Sequence, residues 1–173
     1  PVGNAGNYTA YHRGYTEELA ISATTRMPRM FGFQAAGSAP MVLGHVVKDP
    51  DTIASAIRIG NPASWELALK AQADSDGYFG SITDDKILEA HRILSAEVGI
   101  FVEPASAISV AGLLERAEAG EIPKGSTVVL TVTGHGLKDP QWALRTADGS
   151  EVQPTIVSVD TDEVAGVLGL VRA

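Results

Sequence analysis

The order of hydrophobic and polar positions predicts a chain of alternating helices and strands. The clearest helix follows TDDKILEAHRILSAEVG, where Thr83 is a suitable N-cap and Gly99 a suitable end. Its apolar positions recur at helical spacing and form one stripe: Ile87, Ala90, Leu94 and Val98. A second helix is predicted from Tyr8 to about Leu19, directly after the turn GNAGN.

Further apolar patterns predict the positions of additional strands and helices. RMFGFQAAGSAP indicates a strand that leads into a loop of small residues, and IFV (100–102) indicates a short buried strand. Helices are predicted in TIASAI, from Ser64 onward, and in ASAISVAGLLERAEAG, with Gly120 as the stop. The apolar face of the last helix is Ala107, Val110, Ala111, Leu114 and Ala117.

A nearly continuous apolar run, STVVLTVTG (126–134), is typical of a parallel strand that is buried on both faces. Strands that alternate with helices favour an α/β fold with a mostly parallel twisted sheet and flanking helices. The 173 residues suffice for one domain. Residues from about 146 to 173 are less patterned, and we predict a less ordered C-terminal extension with a short closing helix near 162–170.

Composition narrows the function classes. The net charge is −8 and the basic residues are scattered, which argues against a nucleic-acid partner. No apolar run approaches the roughly 18–20 residues that a membrane span needs. The chain has no cysteine and its four histidines lack ligand spacing, so we predict no metal site. These features are compatible with a cytoplasmic location.

The turn GNAGN, which is formed by Gly3, Asn4, Ala5, Gly6 and Asn7, has the composition of a phosphate site. Glycines allow unusual backbone angles and close approach of a ligand, and successive N–H groups can form an anion nest at the start of a helix. The two asparagines could add side-chain amides. A plain turn with asparagine caps explains the same residues equally well.

Three further stretches hold candidate site residues. Thr133 ends the predicted strand VVLTV, where ligands lie in open parallel sheets, although it could instead cap the next turn. Glu103 follows the strand IFV and could face the same crevice, be a solvated carboxylate, or begin the next helix. Ser106 could cap a helix locally. Arg58 could bind an anionic substrate, but a surface role is favoured, and Lys138 with Asp139 is interpreted as a surface pair.

Together these blocks resemble the threonine synthases, which are pyridoxal-phosphate enzymes of the β-family, or fold type II. The resemblance rests on the order and spacing of PVGNAGN, PRMFGFQAAGSAP, TIASAIRIGNPASW, FVEPASA and VVLTVTGHGLKDP. It implies the large C-terminal domain of such enzymes, which is similar to that of tryptophan synthase β. The GTGGT turn of cysteine synthases and the GGGGL turn of dehydratases do not occur here.

The resemblance also implies roles for individual residues. The turn from Gly3 to Asn7 would bind the phosphate of pyridoxal 5'-phosphate, and Thr133 would hydrogen-bond its pyridine nitrogen. The cofactor-binding residues would be held in place by three residues that do not contact the cofactor themselves: Glu103, Ser106 and Gly134. The family reaction converts O-phospho-L-homoserine and water to L-threonine and phosphate, and a homodimer is expected.

One feature of the family is missing from the sequence. The Schiff-base lysine that holds the cofactor lies in an SxKDRG-type segment, and none of the five lysines here has that context. We therefore expect no catalytic residue in this chain, a lysine upstream of Pro1, and an N-terminal domain outside these residues. Two alternatives stay open: another fold type II lyase such as a dehydratase, or a non-catalytic half-domain that binds a phosphorylated ligand or a partner half.

Overall fold

The computed structural model describes residues 1–145 and 150–170, which form two compact units, 1–140 and 141–173. The first unit contains a two-stranded parallel sheet of β1 (Phe31–Ala35) and β2 (Tyr78–Ile82), in which Phe31 pairs with Tyr78 and Ala35 with Ile82. Five helices accompany it: α1 (Gly6–Ala20), α2 (Pro40–Leu43), α3 (Trp65–Asp74), α4 (Asp84–Ile93) and α5 (Pro104–Glu118). The predicted α/β class with a parallel sheet is confirmed.

Two groups of buried side chains hold the first unit together. One lies between β1, β2, α4 and α5 and includes Phe33, Ile82, Ile87 and Ile108. The other packs α1 and α3 against the sheet and includes Val2, Ala5, Tyr8, Met30 and Phe79. Because Val2, Ala5 and Tyr8 all belong to it, the first residues of the chain are fixed in place by the core.

The structure confirms several elements of the sequence pattern. Helices α1, α3, α4 and α5 lie where they are predicted, and Gly99 and Gly120 adopt the positive φ of helix ends, 73° and 72°. Ser64 and Thr83 are the N-cap residues of α3 and α4, although neither side chain makes a capping hydrogen bond.

Three predicted elements are wrong. TIASAI forms only a short 3-10 turn (Ser55–Ile57), and IFV contributes a single antiparallel bridge between Val102 and His135. The run VVLTV is not a strand: Val129 is 82% exposed, and residues 127–132 lack a backbone–backbone hydrogen bond to any part of the chain that the structure describes. An apolar run becomes a buried strand only where neighbouring strands pair with it.

Two helical faces also differ from prediction. Val98 is exposed because residues Leu94–Val98 form a π-helical turn, whose wider winding rotates Val98 off the stripe of Ile87, Ala90 and Leu94. Leu114 is 38% exposed at the outer edge of the α5 face.

The second unit contains α6 (Thr161–Val167), which Asp160 caps by accepting hydrogen bonds from the backbone N–H groups of Asp162 and Glu163. This helix agrees with the predicted closing helix, while residues 146–149 and 171–173 of the predicted extension lie outside the described residues. Across the described residues, no helix is both long and apolar enough to cross a membrane.

Candidate functional site: the GNAGN turn and the Thr133 segment

The GNAGN turn joins the start of the chain to α1 through a left-handed residue. That residue is Ala5, with φ 61° and ψ 11°, and not one of the two glycines. Gly3 is needed for close packing instead, since a Cβ there would lie 3.1–3.2 Å from atoms of Ile59, Ala56 and Ile57. Gly6 faces open space, with no atom within 4 Å of an added Cβ.

The beginning of α1 offers free hydrogen-bond donors. The helix has 15 residues and its N-cap, Ala5, has no side chain that could accept a hydrogen bond. The first N–H groups of a helix lack partners inside the helix and carry the positive end of its dipole. With the open space at Gly6, these donors form a cradle that an anion can enter.

The two asparagines of the turn behave differently. Asn4 accepts a hydrogen bond from the Ala63 N–H at its side-chain Oδ1 (3.2 Å) and another from the Ser64 N–H at its backbone oxygen (3.1 Å). It therefore attaches the loop before α3 to the turn. Asn7 is exposed and lines a cavity beside α1.

Tyr8 fixes the orientation of α1 behind the cradle. Its hydroxyl donates to the Met30 carbonyl at 2.9 Å, and its ring lies 4.8 Å from that of Phe79. Burial raises the pKa of Tyr8 to about 12, so the phenol stays neutral and remains a donor.

Thr133 lies at the end of an extended segment that is attached to α5 by hydrogen bonds. Its backbone N–H donates to Ser106 Oγ at 2.6 Å, and Ser109 Oγ donates to the Thr131 carbonyl at 3.3 Å. Ser106 is completely buried. It thus does not cap its own helix through its side chain but holds the Thr133 segment.

Glu103 is buried, so the interpretation as a solvated carboxylate is wrong, and it is the N-cap residue of α5, in agreement with the helix-start interpretation. Its backbone N–H donates to the Gly134 carbonyl at 3.0 Å, and its carboxylate pairs with Lys138 Nζ at 3.2 Å. A Cβ on Gly134 would lie 1.9 Å from Glu103 Oε1, so only glycine fits against this carboxylate. Glu103 and Gly134 are therefore joined side by side behind Thr133.

The expected surface pair of Lys138 and Asp139 is wrong. Lys138 pairs with Glu103, and Asp139 is buried and accepts a hydrogen bond from Ser55 Oγ at 2.6 Å. Arg58 is exposed and does not line the cavity, in agreement with the favoured surface role.

One cavity of about 890 Å³ is lined by both Asn7 and Thr133, while Gly3, Asn4, Ala5 and Gly6 of the predicted turn are not among its lining residues. Asn7 and Tyr8 of α1 line one side, and Thr131 and Thr133 line another. None of the five lysines is among the lining residues. Asn7 of α1 and Thr133 thus share a cavity whose lining contains no lysine.

Sequence reasoning missed several lining residues. Tyr8, Tyr11 and Tyr15 recur at helical spacing on α1, and Ser109 lies one turn after Ser106 on α5. The tyrosine spacing could have indicated a shared face, but nothing in the sequence shows which cavity that face borders.

These residues fit pyridoxal phosphate. Backbone donors at a helix start suit its phosphate, the space at Gly6 leaves room for it, and the hydroxyl of Thr133 suits its ring nitrogen. The cavity volume lies within the range that cofactor sites have, roughly 300–1,000 Å³.

Comparison with solved structures gives the same fold. A threonine deaminase from T.th. matches with a TM-score of 0.58 at 24% identity, over 78% of this chain and 47% of that one. An L-serine ammonia-lyase from Rhizomucor miehei matches with a TM-score of 0.59 at 19% identity, over 78% and 44%. At these identities the likeness concerns the fold alone.

Comparison with curated protein sequences finds relatives of higher sequence identity than these solved structures. The chain is 55% identical to a threonine synthase of Mycobacterium leprae over 99% of its own length and 46% of that protein. It is 50% identical to one of Synechocystis sp. (98% and 43%) and 41% identical to one of Methanocaldococcus jannaschii (97% and 42%). The chain thus spans less than half the length of these relatives. Residues 1–134 match the family model described as pyridoxal-phosphate dependent enzyme, and the chain belongs to that family.

Proposed function

We propose that this chain forms the cofactor-binding C-terminal part of a threonine synthase, which converts O-phospho-L-homoserine and water to L-threonine and phosphate. The observation that carries the proposal is 41–55% identity to threonine synthases of distant organisms over 97–99% of the chain. The cavity between α1 and Thr133 supports it, because Asn7 in the first turn of α1 and Thr133, whose hydroxyl is a neutral hydrogen-bond donor, both line it.

Each part of the cavity has a task in this proposal. The first N–H groups of α1 bind the cofactor phosphate, and Asn7 adds a side-chain amide. The Thr133 hydroxyl donates to the ring nitrogen and, being neutral, adds no charge there. Ser106 holds the Thr133 backbone, and Glu103 with Gly134 holds the following turn. Bound pyridoxal phosphate supplies an electron sink for charge at the substrate carbons.

The amine that the reaction needs comes from outside these residues. Lys70 pairs with Asp74, Lys86 with Glu115 and Lys138 with Glu103, and none of the five lysines is among the residues that line the cavity. The proposal therefore assigns the Schiff-base lysine to a segment upstream of Pro1 in the complete enzyme. It also assigns that enzyme to the cytoplasm as a homodimer.

A dehydratase is the second candidate, since the two solved structures described above are named as a deaminase and an ammonia-lyase. A chimera separates the two. This chain replaces the matched region of the Mycobacterium leprae threonine synthase, and the purified chimera is given either O-phospho-L-homoserine or L-threonine, with product analysis by NMR.

We expect phosphate and L-threonine from O-phospho-L-homoserine. Formation of a 2-oxo acid and ammonia from L-threonine, without threonine synthesis, would overturn the proposal in favour of a dehydratase. A chimera that binds the cofactor but converts neither substrate would support the non-catalytic alternative instead.

A further inference from the structure

A hydrogen bond between two side chains that are 84 residues apart joins two loops of the first unit. Ser55 Oγ donates to Asp139 Oδ2 at 2.6 Å. Asp139 is buried, whereas Ser55 is exposed. A hydrogen bond to a carboxylate is stronger than one between neutral groups. The contact therefore fixes the position of one loop relative to the other.

Asp139 ends the compact turn that begins at Thr133. Its backbone N–H donates to the Gly136 carbonyl at 3.1 Å, which closes the turn of 3-10 helix at Gly136–Lys138. At the other end, the Thr133 N–H donates to Ser106 Oγ at 2.6 Å. The segment from Thr133 to Asp139 is thus attached at both ends, and a shift of Asp139 is transmitted to Thr133 through a short, hydrogen-bonded stretch of chain.

Ser55 begins a loop, residues 55–64, that lies against the GNAGN turn. An added Cβ on Gly3 would lie 3.1–3.2 Å from atoms of three residues near the start of this loop. Near the end of the loop, two backbone N–H groups donate to Asn4, one to its side chain and one to its carbonyl. The loop that carries Ser55 is therefore packed and hydrogen-bonded to the turn that leads into α1.

Ser55 thus connects the two segments to which the proposed function assigns the cofactor. We propose that Ser55 is a positioning residue, whose hydrogen bond to Asp139 sets the separation between the donors at the start of α1 and the Thr133 hydroxyl. A rigid ligand that is held at both ends binds tightly when its binding groups are already at the right separation, because ordering them on binding costs free energy. The inference rests on the proposed function, which assigns these two ends to the phosphate and the ring nitrogen of pyridoxal phosphate.

Absorbance titration of the chimera with pyridoxal phosphate tests this inference without a turnover measurement. Ser55→Ala removes the hydroxyl and should weaken cofactor binding about tenfold, because the two ends are no longer held at a fixed separation. Ser55→Thr keeps a hydroxyl and should bind the cofactor within about twofold of the unsubstituted chimera. Ser55 is exposed, so both variants should fold, which circular dichroism checks.

Thr52→Val is the matched control from the same part of the chain. The Thr52 hydroxyl donates to Asp84 at the start of α4, so it attaches the chain before Ser55 to α4 and not to the turn at Thr133. Thr52→Val should lower the free energy of unfolding, measured by urea titration, and leave the cofactor affinity unchanged.

A double-mutant cycle shows whether Ser55 acts through Thr133. Thr133→Val removes the contact to the ring nitrogen, so the separation that Ser55 sets no longer matters for binding. Adding Ser55→Ala to Thr133→Val should therefore weaken cofactor binding by less than about twofold. A merely structural role of Ser55 would give the same loss of affinity with and without Thr133→Val.

Four results would overturn the inference. The first is unchanged cofactor affinity in Ser55→Ala, and the second is an equal loss of affinity in Ser55→Ala and Ser55→Thr. The third is equal weakening by Ser55→Ala and Thr52→Val, and the fourth is a loss from Ser55→Ala that Thr133→Val does not reduce. Each result can be obtained with a chimera that makes threonine, so failure of this inference is distinct from failure of the proposed function.

Discussion

At the scale of single residues, Gly3, Ala5 and Gly6 of the turn before α1 each have a different structural role. Gly3 permits close packing, Ala5 takes the left-handed conformation, and Gly6 leaves space above the helix start. The sequence predicts the turn and its ligand chemistry. It does not predict which residue has the positive φ, because glycine is the usual choice and here packing and ligand space require the glycines elsewhere.

Gly6 provides the first test. An added Cβ at Gly6 meets no protein atom, so Gly6→Val should leave the fold intact but fill the space in front of the α1 donors. Losing hydrogen bonds to a charged phosphate, each worth about 1.5–3 kcal/mol, should weaken cofactor binding about tenfold or more. Absorbance titration of the chimera with pyridoxal phosphate measures this, with Gly14→Ala as the control. Unchanged affinity in Gly6→Val would refute the cradle.

Thr133 provides the second test. Thr133→Val keeps the shape of the side chain and the backbone hydrogen bond to Ser106, but it removes the hydroxyl. Leaving a buried acceptor unpaired costs about 1–3 kcal/mol, so turnover of the chimera should fall about tenfold or more.

Thr131→Val is the matched variant, since Thr131 lines the same cavity two residues earlier. It should have a smaller effect on turnover. Unaltered turnover in Thr133→Val together with a loss in Thr131→Val would move the hydrogen-bond role to Thr131.

At the scale of elements, α5 connects the sheet to the site. Its N-terminal residues hold the segment 131–134, and its middle packs on β1, where Gly112 lies against the Phe33 ring. A Cβ on Gly112 would be 2.4 Å from Phe33 Cε2. The helix can therefore hold Thr133 at a fixed distance from β1 only while this position stays small.

A pair of glycine substitutions tests this contact. Gly112→Ala should lower the free energy of unfolding by about 1–3 kcal/mol through overpacking. Gly14→Ala in α1 meets no atom within 4 Å and should raise it by roughly 0.5–1 kcal/mol, because alanine is the better helix former. Urea titrations of the isolated chain measure both. Equal effects of the two substitutions would show that α5 does not pack closely on β1.

The helices and strands also show which parts of the fold can be predicted from the sequence. Helices α4 and α5 were predictable because their apolar spacing and end residues agree with each other, and α1 was predictable because it follows the GNAGN turn. Strand β2 was missed, since YFGSI is short, contains Gly80 and exposes Tyr78. The run VVLTV has the local preference of a strand, but the predicted strand does not form, because pairing depends on a neighbour that the pattern of this segment does not specify.

At the scale of the whole molecule, we propose that the chain supplies one part of a cofactor site and that another part of the protein completes it. In the first unit Asn7 and Thr133 line one cavity. None of the five lysines is among its lining residues, and three of the lysines are ion-paired. Holding the cofactor through an amine and moving protons at the substrate require a lysine at the cavity. We therefore expect the isolated chain, supplied with pyridoxal phosphate, to produce no threonine from O-phospho-L-homoserine.

The central claim is that this chain supplies the phosphate cradle and the ring contact while the lysine belongs to another part of the protein. Borohydride reduction of the cofactor-loaded chimera, followed by peptide mapping with mass spectrometry, tests it most directly. We predict one cofactor-modified lysine, located in the part contributed by the Mycobacterium leprae protein. A stoichiometric modification of Lys48, Lys70, Lys86, Lys124 or Lys138 would contradict the claim.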